Sequence, residues 1–119
     1  MRAVFGAQGV AHHATFLQYV VEAWPVRLIA LDTLIPGQPG GQLCAERLGW
    51  LEAQLAQEPS RPTVLFQHHP PFATGMPVLD SMGLQGTAAL GQLIARHLQV
   101  ERILAGHVHC HVQRALPGP

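Results

Sequence analysis

Two histidine-rich segments in the second half of the chain carry the residues best suited to chemistry. The first is His68-His69-Pro70, and the second is Gly106-His107-Val108-His109. Histidine is the commonest metal ligand in proteins and the usual proton carrier near neutral pH. His107 and His109 are two residues apart, so their side chains project in related directions and can bind one ion or two adjacent ions. Either segment alone is also compatible with ordinary loop histidines, so the case depends on whether the two segments come together.

The strands predicted around these segments place both of them at one edge of a sheet. Residues 63–67 form a short apolar run, typical of a strand covered on both faces, and His68 follows it directly. Residues 102–105 form a later strand, which is followed by Gly106. The helix predicted at 87–98 implies a parallel crossover between the two strands, and ligands bind beyond the carboxyl ends of parallel strands. The sequence therefore predicts one shared site.

The rest of the chain is consistent with a single α/β domain that has a mostly parallel sheet flanked by helices. Further strands are predicted at 16–22 and 27–33, a helix at 43–57, and irregular segments at 36–41 and 72–86. The helix at 43–57 has one apolar stripe with helical spacing, formed by Cys44, Leu48, Leu51 and Leu55. This helix is expected to pack on the sheet through that stripe.

The composition excludes several classes of function. The 119 residues are 48% hydrophobic and 12% charged, as in globular proteins, and seven basic residues balance seven acidic ones. Because there is no basic run, we expect neither a nucleic acid polymer nor an anionic membrane as a partner. No apolar stretch approaches the ~20 residues that span a bilayer. The sequence therefore predicts a cytoplasmic protein.

The segments TVLFQHHPPFATGM (63–76) and ILAGHVHCH (103–111) resemble the calcineurin-like metallophosphoesterases. The resemblance is greatest to the bacterial branch of class III 3′,5′-cyclic nucleotide phosphodiesterases and related glycerophosphodiesterases. It implies part of an α/β/β/α sandwich fold. It also implies two divalent transition metals, chosen from iron, manganese and zinc, and a small phosphodiester as the substrate. The predicted enzyme class is therefore a metal-dependent phosphodiesterase.

The same resemblance assigns roles to individual residues. His68 and His107 are expected to bind one metal, and His109 is expected to bind the other. The catalytic histidine of the family has no counterpart in this chain. His69 is expected to border the site without binding metal directly. The residues expected to line the substrate are His69, Phe72 and Asp80.

The carboxylate part of such a site has no match in the sequence. The Asp-x-His, Gly-Asp and Gly-Asn-His blocks of the family are absent, so residues 1–119 are expected to be a truncated domain that lacks the N-terminal metal-binding motifs and the C-terminal strands. Two adjacent cations need anionic ligands to offset their repulsion, so at most one metal is expected here. Asp32 ends a predicted strand and is expected to hold a turn rather than face the site. Asp80 either contacts substrate or holds its own turn.

Two functions remain in competition on the sequence alone. The first is phosphodiester hydrolysis, with a cyclic nucleotide or a glycerophosphodiester as the substrate. The alternative is a non-catalytic fragment that binds a metal through histidines or self-associates. A truncated sheet exposes an edge and apolar faces that are normally covered, so we expect a homo-oligomer.

Overall fold

The computed structural model describes residues 16–22, 25–108, 112, 113 and 115. Its elements in chain order are β1 (Tyr19–Val21), β2 (Arg27–Ala30), β3 (Gly41–Gln42), α1 (Ala45–Gln57), β4 (Thr63–Gln67), α2 (Pro77–Asp80), β5 (Leu84–Gln85), α3 (Thr87–Ala95) and β6 (Val100–Ala105). This mixture of helices and strands confirms the predicted α/β class. Within the described ranges, no helix has the length and apolar character needed to cross a bilayer.

Four strands form the main sheet in the order β1-β2-β4-β6. Strands β2, β4 and β6 are parallel, with Leu65 of β4 lying between Ile29 of β2 and Ile103 of β6. Strand β1 is antiparallel to β2 and pairs Val20 with Ile29. Only residues 22–26 separate β1 from β2, and a connection this short can join antiparallel neighbours but cannot make a parallel crossover. The sheet is therefore mostly parallel, as predicted, with one antiparallel edge strand.

Helices α1 and α3 pack together over the sheet and supply about half of its core. The buried apolar residues of the cluster are Val20, Ile29, Leu31, Leu43, Leu51, Leu55, Leu65, Leu90 and Leu93. Of the stripe predicted on α1, Leu51 and Leu55 are fully buried and Leu48 packs at the margin of the cluster. Cys44 lies one residue before the helix and occupies its N-cap position. The stripe prediction is thus confirmed for the three leucines.

The interpretation of residues 72–86 as irregular was wrong in part. This stretch contains the four-residue helix α2 and the two-residue strand β5, and β5 pairs in parallel with β3. Elements this short have no periodicity to detect, since one helical turn or one strand pair gives no repeat. The ends of the longer elements also differ from prediction, with α1 starting at Ala45 and α3 ending at Ala95. Strand β6 starts at Val100, two residues earlier than predicted.

The side chain of Arg47 holds the loop that connects β2 with α1. It is 5% exposed, and its guanidinium donates hydrogen bonds to the carbonyl of Leu34 at 2.9 Å and to that of Gln42. The same guanidinium lies 4.1 Å from the centroid of the Phe16 ring. A buried cation is stable only with such partners. The loop from 34 to 42 is therefore anchored at both ends, and its middle reaches the histidine segments through Pro39.

Candidate metal centre

The two histidine segments meet at the carboxyl edge of the sheet. Gln67 of β4 lies opposite Ala105 of β6, and the next residues continue the ladder, with the Gly106 amide donating to the His68 carbonyl at 2.9 Å. The side chains also meet, since His68 Nε2 lies 3.1 Å from His107 Nδ1. The prediction that both segments share one edge is confirmed. We call His68 and His107 the histidine pair.

The histidine pair has the spacing of two ligands on one ion. Imidazole nitrogens bound to zinc at about 2.0–2.1 Å lie about 3.3 Å apart in a tetrahedral site. The observed separation of 3.1 Å is within a few tenths of an ångström of that value. The pair can therefore accept an ion with little rearrangement.

His107 has two further unusual features. Its Nε2 is buried and has no hydrogen-bond partner among the described residues. Its φ is 73°, and in the described part of the chain it is the only non-glycine residue with a positive φ. A left-handed conformation costs of order 1–3 kcal/mol and persists only where the surroundings enforce it. The strained backbone fits a ligand position for Nδ1, and the unmatched Nε2 is the ring nitrogen that does not face His68.

His69 lies beside the histidine pair but uses both of its ring nitrogens elsewhere. It is 2% exposed, with its ring centroid 4.8 Å from that of His68 and 4.7 Å from that of His107. Its Nε2 donates to the carbonyl of Pro39 at 2.8 Å, and its Nδ1 therefore accepts from the Thr33 hydroxyl at 2.7 Å. Distance alone groups all three histidines, whose candidate ligand atoms lie within 4.8 Å of one another. The hydrogen bonds leave no nitrogen of His69 for an ion.

The predicted third ligand, His109, lies outside the described residues. The two residues that follow it, Cys110 and His111, also lie outside them. The described part of the candidate centre thus consists of the histidine pair and the residues that hold it.

A cleft of about 490 Å³ adjoins the candidate centre. Phe72 and Asp80, which were both predicted to line the substrate, lie in its walls together with Pro39, Gly40 and Pro70. His69, which was also predicted to line the substrate, is not part of the lining. It is buried, and its Nε2 donates to the carbonyl of Pro39. Pro39 and Pro70 thus connect the cleft to His69, which packs against the histidine pair.

The carboxylates of Asp32 and Asp80 both accept hydrogen bonds that hold local turns, and Asp32 also accepts one from the segment before β1. Asp32 accepts hydrogen bonds from the amides of Leu17 at 2.9 Å and Leu34 at 3.0 Å. Asp80 accepts from the amide and the hydroxyl of Thr74, both at 2.8 Å, and from the Gly75 amide at 3.0 Å. The turn-holding roles considered from the sequence are therefore present in the structure for both residues.

Replacing Asp80 with asparagine is expected to lower the thermal stability at pH 7 and to have less effect in acid. The Thr74 amide, and then its hydroxyl, hold the pKa of the Asp80 carboxyl below its ordinary value of 3.8. A lowered folded-state pKa gives stability that is present above 3.8 and is lost as the pH falls through the folded value. The difference in Tm between the two proteins should therefore shrink from pH 7 to pH 3, as measured by circular dichroism. Glu101→Gln, at an exposed site on β6, is the matched control and should show no such trend.

The sequence interpretation missed four residues that hold the histidines in place. Besides Thr33 and Pro39, Gln67 donates from Nε2 to the carbonyl of His69 at 2.7 Å. Gly41 packs directly against the His69 ring, where a Cβ would lie 2.7 Å from both Cγ and Cε1. Thr33 could have been found, because it ends a predicted strand at the same sheet edge. The paired glycines at 40 and 41 could have indicated a close approach of backbone to side chain.

This chain is similar to bacterial proteins named as phosphodiesterases, although no family model matches it. It is 43% identical over 94 residues to a protein of Arcobacter nitrofigilis named "Probable glycerophosphodiester phosphodiesterase GpdQ", a match that covers 78% of this chain and 34% of that protein. It is 38% identical over 91 residues to a Synechococcus protein named as a probable cyclic nucleotide phosphodiesterase, covering 76% of this chain and 34% of the relative. It is 36% identical over 91 residues to the 3′,5′-cyclic adenosine monophosphate phosphodiesterase CpdA of Escherichia coli K12, covering 76% and 32%.

These relatives carry both of the names that the sequence motifs suggested. The chain spans about a third of the length of the three relatives described, so it corresponds to one part of such a protein. The sequence motifs, the mostly parallel sheet and the names of the relatives all point to the same group of proteins. The chain is therefore similar to one part of the bacterial proteins named as cyclic nucleotide and glycerophosphodiester phosphodiesterases.

Proposed function

We propose that the histidine pair binds a divalent transition metal ion and that this ion serves phosphodiester hydrolysis. His109 is proposed for the position of a second ion, which this chain alone does not hold. The observation that carries the proposal is the 3.1 Å approach of His68 Nε2 to His107 Nδ1 at a strand edge. The positive φ of His107 supports it, because a left-handed backbone at a non-glycine residue persists only where the surroundings enforce it. Imidazole nitrogens suit zinc, copper, iron and nickel, whereas magnesium and calcium prefer oxygen ligands. The histidine pair therefore favours a transition metal.

The chain's own residues would hold the ion and shape the space beside it. When bound, a divalent metal polarises a phosphoryl oxygen and offsets the charge that develops on it. The histidine pair supplies neutral ligands, and the strand ladder between β4 and β6 fixes their separation. The adjoining cleft, which Phe72 and Asp80 line, would receive the remainder of the diester. The substrates named for the relatives make a cyclic nucleotide or a glycerophosphodiester the class to test.

We also propose that one ion, rather than two, is held by this chain, and that the protein works in the cytoplasm. In the described ranges, no carboxylate joins the histidine cluster, and the oxygens of Asp32 and Asp80 accept hydrogen bonds from backbone amides. A second ion would need anionic ligands from outside the described residues. The complete active site is thus proposed to include residues outside the described part of this chain.

We infer that the sheet face opposite the helices is covered by a second copy of the chain. Leu104 on β6 is 58% exposed and lies opposite the half-buried Phe66 on β4. Apolar side chains that share one face favour association. Light scattering should therefore give a mass of at least two chains, and Leu104→Glu should lower it. A monomer at micromolar concentration would contradict this.

The absence of a described carboxylate at the histidine pair favours a second candidate function. A site made of imidazoles alone can bind zinc, copper or nickel without catalysing hydrolysis. In that case the chain would be a non-catalytic metal-binding module. Its metal would have a structural role or would be shared with a partner.

Metal binding and turnover, measured on the same preparation, separate the two functions. Metal content is determined after purification, and hydrolysis of bis(p-nitrophenyl) phosphate is then followed with added Mn²⁺. Turnover that requires the metal supports the phosphodiesterase function. Bound metal without turnover supports the non-catalytic module. A chain that binds no metal ion under any condition rules out both.

A further inference from the structure

We propose that His69 is a positioning residue, held in one tautomer by Thr33 and Pro39, and that it sets the orientation of the two metal-binding histidines. This inference rests on the proposed metal site and adds a residue that does not itself bind the ion. The contacts link two separate segments to the histidine pair. One is the connection from β2 to β3, which contains both Thr33 and Pro39, and the other is the turn after β4.

The His69 ring is fixed on both sides by short hydrogen bonds. A carbonyl can only accept, so the contact with Pro39 requires a proton on Nε2. With that proton on Nε2, Nδ1 is assigned as the acceptor from the Thr33 hydroxyl, which lies 2.7 Å away. The ring is 2% exposed, so water does not compete for either contact. His69 therefore has one tautomer and one orientation.

The backbone around His69 is fixed as well, and this carries the effect to the histidine pair. Gln67 donates from its side chain to the His69 carbonyl at 2.7 Å. The carbonyl of the neighbouring His68 accepts from Gly106 at 2.9 Å. A movement of the His69 ring would thus be transmitted along the turn to His68, and across the ladder to His107.

The ring of His69 also forms a packing surface for both members of the pair. Its plane makes an angle of 89° with that of His68 and 44° with that of His107. Gly41 also lies against the ring, because a Cβ there would overlap it. The space around the imidazole is thus limited by Gly41 as well as by the histidine pair. Groups that orient a metal ligand from outside its coordination sphere commonly change metal affinity about 10–100-fold when they are removed.

Thr33→Val tests this role with little change in side-chain volume, since it removes only the hydroxyl that His69 Nδ1 accepts from. We expect the full chain carrying it to bind Zn²⁺ about tenfold more weakly in a calorimetric titration. Thr33→Ser keeps the hydroxyl and should restore the affinity. The matched control is Thr63→Val. Thr63 is also buried, and its hydroxyl donates to the Arg61 carbonyl at 2.9 Å, at the far end of β4.

A second measurement does not depend on metal binding. Ring ¹⁵N signals of the metal-free chain should show His69 with its proton on Nε2. In Thr33→Val the ring signals of His68 and His107 should shift, whereas in Thr63→Val they should not. Equal zinc affinity in the two valine variants, or unchanged signals from the pair, would overturn the inference while leaving the metal site intact. Failure of the unaltered chain to bind zinc would instead remove the proposed function, and the ring signals alone would then decide the role of His69.

Discussion

Replacing His107 with alanine is expected to weaken Zn²⁺ binding by the chain more than about 100-fold. Removal of a group that merely supports a ligand typically costs about 10–100-fold, so loss of the ligand itself should exceed that range. His107 is one of two described nitrogen donors at the site, and its Nδ1 lies 3.1 Å from the other, His68 Nε2. The measurement is a competitive zinc titration against a chromophoric chelator. Circular dichroism shows whether the variant keeps its secondary structure.

His97→Ala is the matched control for this substitution. His97 lies between α3 and β6, and its carbonyl accepts from the Val100 amide at 3.2 Å, at the opposite end of the strand from His107. A six-residue strand spans about 20 Å, so His97 cannot share an ion with the pair. Its replacement should leave zinc affinity within about twofold of the unaltered chain, by the usual independence of distant sites. Equal affinities for the two variants would show that His107 is not a ligand.

Alanine at Gly41 is expected to destabilise the chain by about 1–3 kcal/mol and to weaken zinc binding by at least the factor expected for Thr33→Val. The added Cβ would lie 2.7 Å from both Cγ and Cε1 of His69, closer than such atoms approach in real structures. The ring cannot move aside, because its two nitrogens are bonded to Thr33 and Pro39. Relief of the overlap must therefore break at least one of those hydrogen bonds. Urea unfolding and zinc titration of the same variant measure the two effects.

Gly49→Ala is expected to raise the stability in the same experiment, in contrast to alanine at position 41. Gly49 is exposed within α1, and a Cβ there would meet nothing within 4 Å. Alanine in a helix interior is favoured over glycine by about 0.5–1 kcal/mol, so this variant should be more stable and should bind zinc normally. If alanine at Gly41 were tolerated as well as alanine at Gly49, the close packing on His69 would be contradicted.

The location of the site could be predicted from the sequence because it depends on strand order. The apolar runs that became β4 and β6, with a helix between them, required a parallel crossover, and parallel strands bring their carboxyl ends together. His68 and His107 follow directly after those strands, so their meeting needed no knowledge of loops. The hydrophobic stripe of α1 was predictable for the same reason, since Leu51 and Leu55 lie at helical spacing.

The support of the site could not be predicted in the same way. The Thr33 and Pro39 contacts with His69 join residues 36 and 30 positions apart. They depend on the path of an irregular loop that has no periodicity. That path is set by the buried guanidinium of Arg47, which the sequence presents as an ordinary charged residue of a helix. Short elements such as α2 and β5 escaped detection because tertiary contacts, rather than local preference, stabilise them.

The Gly106–His68 hydrogen bond makes the candidate site depend on the attachment of an edge strand. In the described part of the chain, β6 has β4 as its only partner, and most of its residues are exposed. Edge strands of this kind open by local fluctuation at a lower free energy than the interior of a sheet. Each opening would separate His107 from His68 and interrupt the site. An ion that bridges the two would in turn favour the closed state by mass action, so metal occupancy and the fraying of β6 are thermodynamically linked.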